Sequence, residues 1–207
     1  LAGVVLRLPN RLGDFVLALP AARSLRPDAI VVASALASLA TEAFPGTTVV
    51  PVDRGVGGFL RGVAAMKRLR AQRAVLLPGS ATSAAMFAFA GIPERWGEST
   101  GGRGYFVTRP LYPSRTPQHL ASHLWEIATG SRPTAPPTPQ LEPSADAHAR
   151  FARLYQGAGR PIGIFPGASA PSRHWPAARF REVVERLQAD GNEVVVFGGA
   201  REAGLTR

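Results

Sequence analysis

Short, unbroken apolar runs alternate with helix-length stretches along this chain. A run of that kind suits a strand buried on both faces. Val4–Leu8, Ile30–Ala33, Val49–Val52 and Ala74–Leu77 are such runs. Between them lie helix-like Asp14–Leu25, Leu36–Phe44 (stopped by Pro45-Gly46), Phe59–Leu69 and the small-residue stretch Ala81–Ala90, closed by Gly91. Continuous apolar strands separated by helices imply a parallel sheet covered on both faces, the α/β class.

The second half repeats the pattern after an interruption. Residues 97–104 read as a flexible glycine loop, and Gln118–Thr129 as a helix. Pro133, Pro136, Pro137, Pro139 and Pro143 then crowd a segment that can continue neither a helix nor a central strand, which makes 131–143 the linker candidate. After a connecting helix near 144–156, Pro161–Phe165 is a strand. Pro176–Ala189 is an amphipathic helix, with Phe180, Val183, Val184 and Leu187 at i, i+3, i+4 and i+7. Glu193–Phe197 is the next strand, ending in Gly198-Gly199. The expected organisation is two Rossmann-like doubly wound units, 1–143 and 144–207, the second incomplete. The chain opens on Leu1 and stops at Arg207, just after a strand and a glycine turn, so the expectation is a piece of a longer protein.

Composition narrows the function classes. There is no cysteine, which removes disulfides, zinc-thiolate sites and thiol nucleophiles. The formal charge is +10, and Lys67 is the one lysine. A cationic surface favours phosphorylated ligands or an anionic membrane face. No compact basic block interleaved with aromatics points to nucleic acid. The opening residues are not a secretory signal, and the apolar stretches near 30–40 and 84–92 are too short and broken to span a bilayer. The expected location is the cytoplasm.

Three strand-to-helix turns carry candidate chemistry, because ligands of open parallel sheets bind beyond the strands' carboxyl ends. Leu8-Pro9-Asn10-Arg11-Leu12-Gly13-Asp14 is the first. Asp14 is read either as a helix N-cap, with Gly13 giving the chain room to turn, or as a carboxylate that accepts a proton; both roles are compatible. The second is Phe165 to Pro176. There Gly167 allows close approach, Ser169, Ser172 and a helix start offer donors, and Arg173 offers a planar charged fork: the parts of a phosphate site. His174 reads as structural, and Trp175 as packing under the helix. The third is Gly198-Gly199-Ala200-Arg201-Glu202, where Glu202 suits a ribose hydroxyl or a helix cap equally. His119 and His123, four apart with Glu126 nearby, read as a helix-surface pair rather than a metal site. Ser80 and Ser83 follow the fourth strand. Arg95, Arg103 and Arg109 flank the glycine loop and suit acidic substrate groups.

These turns, in this order, resemble the glycosyltransferase family 9 heptosyltransferases, especially the heptosyltransferase II branch. The resemblance rests on Asn10-Arg11-Leu12-Gly13-Asp14 with Phe15–Leu19 and Pro20; on Leu77-Pro78-Gly79-Ser80, Ser83-Ala84 and Ala90–Gly97; on Pro166-Gly167-Ala168 with Arg173-His174-Trp175-Pro176; and on Phe197–Glu202. Family members commonly carry Lys in place of Arg173 and often Arg in place of His174. Their Asp-Ser-Gly…His and Phe-Gly-Pro-Thr stretches would fall beyond Arg207.

The resemblance implies a GT-B fold of two Rossmann-like domains facing a cleft, closing about the 131–143 linker. It implies inverting transfer of heptose from ADP-heptose, without a metal or other cofactor, to an acidic lipopolysaccharide inner-core glycolipid, with peripheral contact at the inner membrane. Asp14 would be the general base. Ser169, Arg173, Gly198 and Glu202 would hold the donor, and Asn10, Arg11, Gly13, Ser80 and Arg103 the acceptor. A sugar-nucleotide epimerase and a non-catalytic nucleotide-sugar binder are the rival readings.

Overall fold

The computed structural model describes residues 3–77, 80–114, 116–157, 159–168 and 170–199. It divides into two compact units, Leu1–Ser144 and Ala145–Arg207. In the first unit, strands β1 (Val4–Arg7), β2 (Ala29–Ala33), β3 (Thr48–Val52), β4 (Arg73–Leu76), β5 (Glu94–Glu98) and β6 (Arg109–Leu111) form one sheet in the order β3-β2-β1-β4-β5-β6. Every adjacent pair is parallel. Helices α1 (Leu12–Ser24), α2 (Ala37–Ala43, after a 3-10 turn at Ser34–Leu36), α3 (Gly55–Leu69), α4 (Ala81–Phe89) and α5 (Leu120–Thr129) connect or flank the strands.

Alternate strand residues feed opposite cores, which is why the strands read as continuous apolar runs. Leu6, Ile30, Val32, Val75 and Leu77 face a cluster with Phe15 and Leu19 of α1 and Leu124 and Ile127 of α5. Val5, Val31, Ala74 and Leu76 face a second cluster with Met66 of α3 and Met86 and Phe87 of α4. At Gly62, a methyl group would come within 2.7 Å of the Met86 sulfur, so glycine sets how closely α3 approaches α4.

Two strands escape the sequence reading. Gly97 and Glu98, expected in a flexible loop, end β5, and β6 lies at the sheet edge with Pro110 inside it. Proline is tolerated at an edge, where its missing N–H costs no ladder bond. Residues 99–104 remain a turn region. The proline-rich 131–143 segment has no helix or strand, yet Arg23 Nη1 of α1 donates to the Gln140 carbonyl at 2.8 Å.

The second unit holds α6 (Ala145–Leu154), β7 (Ile162–Ile164), a 3-10 turn at Pro171–Arg173, α7 (Ala177–Ala189) and β8 (Val194–Val196), with β7 and β8 paired in parallel. Pro176 stands at the N-cap of α7, and Gly191 follows its end with φ +81.

Candidate functional site

The strand order reverses between β1 and β4, so the turns after those strands open at the sheet's topological switch point. Both candidate acceptor-side stretches, Asn10–Asp14 and Ser80–Ser83, therefore sit where an α/β sheet offers a ligand crevice. The residue joining them is one the sequence reading passed over. Arg7, the last residue of β1, is only 4% exposed. Its Nε donates to Ser83 Oγ at 3.3 Å and its Nη2 to Asn10 Oδ1 at 2.5 Å. Its Nη1 donates to the carbonyls of Leu8 at 2.9 Å and Val31 at 3.0 Å. Burial pushes its pKa down to about 10, which leaves it charged at neutral pH. No described carboxylate forms an ion pair with it. The signal was in the sequence: an arginine inside an apolar strand run, immediately before a turn.

Asp14 lies in the first turn of α1, half-buried. The capping role is corrected: Arg11 occupies the N-cap without a side-chain bond, and Asp14 is the third helical residue. Acidic residues suit this end of a helix in any case. Gly13 is not needed for a turn either; it is helical, and a side chain there would meet nothing within 4 Å. Arg11 and Asn10 are exposed, and Asn10 is oriented by Arg7. Ser80 caps α4, its Oγ accepting from the Ser83 N–H at 3.3 Å.

Arg103 differs from its expected role. It is 7% exposed, with Nε donating to the Thr100 carbonyl at 2.6 Å, Nη2 bonded to Thr100 Oγ1, and Nη1 3.6 Å from Glu98 Oε2. Its charge is committed within its own turn rather than offered to an acidic ligand. Arg95 is likewise occupied, by the carbonyls of Phe106, Ile92 and Pro93. Arg109 lies 5.7 Å from the Trp96 ring centre.

The histidine pair also separates. His119 caps α5, its Nδ1 accepting from the Ala121 N–H at 3.2 Å. His123 Nε2 reaches Glu98 Oε1 at 3.4 Å. Among the described residues, no three His, Asp or Glu side chains cluster as a metal site. Beyond the carboxyl ends of β5 and β6 opens a cavity of about 490 Å³ lined by Glu98, Thr100, Tyr112, Ser114, Gln118 and His123, among others. Its wall is fixed by Glu126, which accepts from Gln118 Nε2 at 2.9 Å and from the Ser114 N–H at 3.0 Å. Those bonds, the Gln118 amide first, hold the Glu126 carboxyl below the usual range. Gln118 Oε1 is buried without a partner. Glu98 and Arg103 are five residues apart, but His123 joins them from α5, so only folding reveals the cluster.

On the second unit, Arg173 is exposed at the end of a 3-10 turn, its N–H donating to the Ala170 carbonyl at 3.0 Å. His174 Nε2 lies 3.0 Å from the Ala168 carbonyl, and Trp175 packs edge-to-face on Phe180 at 5.0 Å. Gly198 is exposed just after β8. Ser169 and Glu202 lie outside the described residues.

A parallel sheet in the order 3-2-1-4-5-6, with a carboxylate in the turn at its switch point, defines a Rossmann-like α/β protein with a ligand crevice. The sequence matches glycosyltransferase family 9 (heptosyltransferase) over residues 63–207, and the chain belongs to that family. It is 29% identical over 153 residues to lipopolysaccharide heptosyltransferase 2 of Escherichia coli K12, covering 66% of this chain and 43% of that protein. The Salmonella typhimurium protein of that name is 28% identical over the same lengths. The chain thus spans less than half the length of these relatives.

Among solved structures, the fold matches E. coli ADP-heptose LPS heptosyltransferase II with a TM-score of 0.77 at 22% identity, covering 98% of this chain and 66% of that one. It also matches a family 9 glycosyl transferase from Veillonella parvula with a TM-score of 0.79 at 20% identity, covering 99% and 64%. The chain has the α/β fold of these GT-B proteins. The family match begins after Asp14, whereas the structural matches span nearly the whole chain.

No described helix is long and apolar enough to cross a membrane.

Proposed function

We propose that the protein carrying this chain is an inverting glycosyltransferase that moves a heptose from ADP-heptose to an acidic lipopolysaccharide inner-core acceptor. The observation that carries this reading is Asp14, a half-buried carboxylate in the first helical turn after β1, at the switch point of a family 9 chain. Relatives named as lipopolysaccharide heptosyltransferase 2 support the acceptor class. A structural neighbour solved with ADP-2-deoxy-2-fluoro heptose supports the donor.

Asp14 takes the proton of the acceptor hydroxyl. The acceptor oxygen forms a bond to the anomeric carbon as the carbon–oxygen bond to the diphosphate breaks. ADP departs with that electron pair, and the anomeric configuration inverts. One positioned base contributes about 100- to 10,000-fold to such a step. Asn10, Arg11, Gly13 and Ser80 line the acceptor side in this reading. Arg173 and Ser169 would receive the leaving diphosphate, with Gly198 and Glu202 on the nucleotide, and no metal takes part. Glycolipid acceptors would bring the protein to the cytoplasmic face of the inner membrane, where its positive charge is favourable.

The test is to supply ADP-heptose with and without a heptosylated, Kdo-containing lipid A, following ADP release, product mass and the new anomeric linkage. Acceptor-dependent ADP release with an inverted linkage is the expected result. Donor turnover without acceptor would favour an epimerase. Nucleotide binding without turnover would favour a binding protein.

A further inference from the structure

α3 turns one face into the first unit and the opposite face outward. Gly58, Gly62 and Met66, spaced four apart, are buried on the inner side. Val56, Leu60 and Ala64 keep the same spacing but are displaced by two residues, which at about 100° per residue sets them on the far side of the helix. All three are exposed, Val56 at 78% and Leu60 at 60%. Phe89, at the end of α4, is 61% exposed, and its ring meets that of Phe59 edge-on at 6.0 Å, so the apolar surface continues from α3 onto α4. The outward face of a solvated helix is ordinarily polar. Adjoining large apolar side chains left in water mark an interaction surface.

The charges around this patch say what it meets. Residues 53–70 hold Arg54, Arg61, Lys67, Arg68 and Arg70 against a single carboxylate, Asp53. Arg61 pairs with Asp53 at 3.1 Å. Arg54, Lys67, Arg68 and Arg70 are exposed, and no described carboxylate forms an ion pair with them. Lys67 stands on the same face as Leu60, two turns further along. Exposed apolar side chains flanked by unpaired cations complement a bilayer, whose interior takes up hydrocarbon and whose headgroups are anionic. A second copy fits less well, because a two-fold contact through this face would set the same cations against one another. α3 and α4 pack on the sheet face opposite to the one covered by α1, so the patch stands apart from Asp14.

We propose that the outer face of α3, with Phe89 of α4, lies against an anionic lipid bilayer. Val56, Leu60 and Phe89 enter the headgroup layer, and Arg54, Lys67, Arg68 and Arg70 meet lipid phosphates. The proposal rests on the membrane location given above and names the surface that makes the contact.

The experiment floats the complete gene product with vesicles of phosphatidylcholine alone and of equal parts phosphatidylcholine and phosphatidylglycerol. The expected result is binding to the mixed vesicles that added salt weakens, and far weaker binding to the neutral ones. The double variant Lys67→Ala, Arg68→Ala should bind about 25-fold more weakly, at about fivefold per charge. Leu60→Gln should bind about tenfold more weakly, for one leucine withdrawn from the apolar layer. These side chains are exposed, so melting temperatures should stay at the wild-type value. No flotation, equal binding to neutral vesicles, or binding that both variants leave intact would overturn the proposal. A dimer that Leu60→Gln dissociates, without vesicle binding, would give the face to a second copy instead. Variants that lose vesicle binding yet turn over a deacylated, water-soluble acceptor at the wild-type rate are what this reading and the transferase reading predict together. A wild type that binds vesicles through α3 but fails to turn over ADP-heptose would keep the surface and remove the transferase reading.

Discussion

In the first unit, β1 and β2 are buried on both faces by helices, whereas β7 and β8 of the second stand half-exposed beside α7. Val5, Leu6, Ile30 and Val31 are fully buried. Val196 is 38% exposed, Phe197 46% and Trp175 49%. Pro166 is the one buried residue among the described residues of the second unit. The strands are chemically alike, so the difference lies in cover. Two parallel strands and one flanking helix cannot shield two sheet faces, while six strands between two helical layers can. The residues proposed to hold the acceptor therefore stand on a framework that holds itself, and those proposed to hold the donor on one that is far less buried within this chain.

The comparison is sharpest in the core. Phe87→Ala, at a fully buried position, is expected to cost about 3–5 kcal/mol. Val183→Ala on α7, 36% exposed, should cost under about 1 kcal/mol. Denaturant melts of the two variants check this, and equal losses would break the contrast.

Arg7 tests whether the switch point is rigid. Arg7→Met removes the donor to the Leu8 carbonyl and one of two donors to the Val31 carbonyl, which keeps the Leu8 N–H at 3.1 Å, and frees Asn10 and Ser83. Leaving one buried acceptor short costs about 1–3 kcal/mol. The expectation is that loss in a urea melt, with faster amide exchange around Asn10 and Ser83. A variant as stable as wild type would mean the buried charge is dispensable, as some buried ions are.

The smallest effect concerns the cavity wall. Glu126 titrates lower in the folded chain than a free carboxyl, so its bonds to Gln118 and Ser114 stabilise fully above the ordinary carboxyl pKa of about 4.3. That contribution fades as pH falls through the lowered folded value. Wild type should lose more thermal stability than Glu126→Gln on going from pH 5 to pH 3, by differential scanning fluorimetry.

The legible parts of the fold were those where one physical signal dominated. β1, β2 and β4 announced themselves because burial on both faces demands apolar residues at nearly every position, and β3 by its valines, although Thr48 and Pro51 in it are exposed. β5 was not legible, because Glu94, Arg95 and Glu98 break the run, with Arg73 bonding Glu94 at 2.9 Å across the ladder. β6 was hidden by Pro110 and its length of three residues. At the site, the turns after β1, β4 and β7 were placed correctly between strand and helix, since alternation alone fixes where a parallel sheet puts its loops. Partners were not legible. Arg103 reads as a free charge until folding turns it onto Thr100 and Glu98, and His123 has no visible relation to Glu98 across 25 residues of chain.

The central claim, that the carboxylate in the switch-point turn is the base of a glycosyl transfer, is tested most directly by single-turnover rates of Asp14→Asn against wild type. Both would be saturated with ADP-heptose and acceptor, in the complete gene product. The account predicts a fall of about 100- to 10,000-fold in the chemical step, with nucleotide affinity and melting temperature unchanged. A rate within a few-fold of wild type would contradict it and leave Asp14 as an ordinary first-turn helix residue.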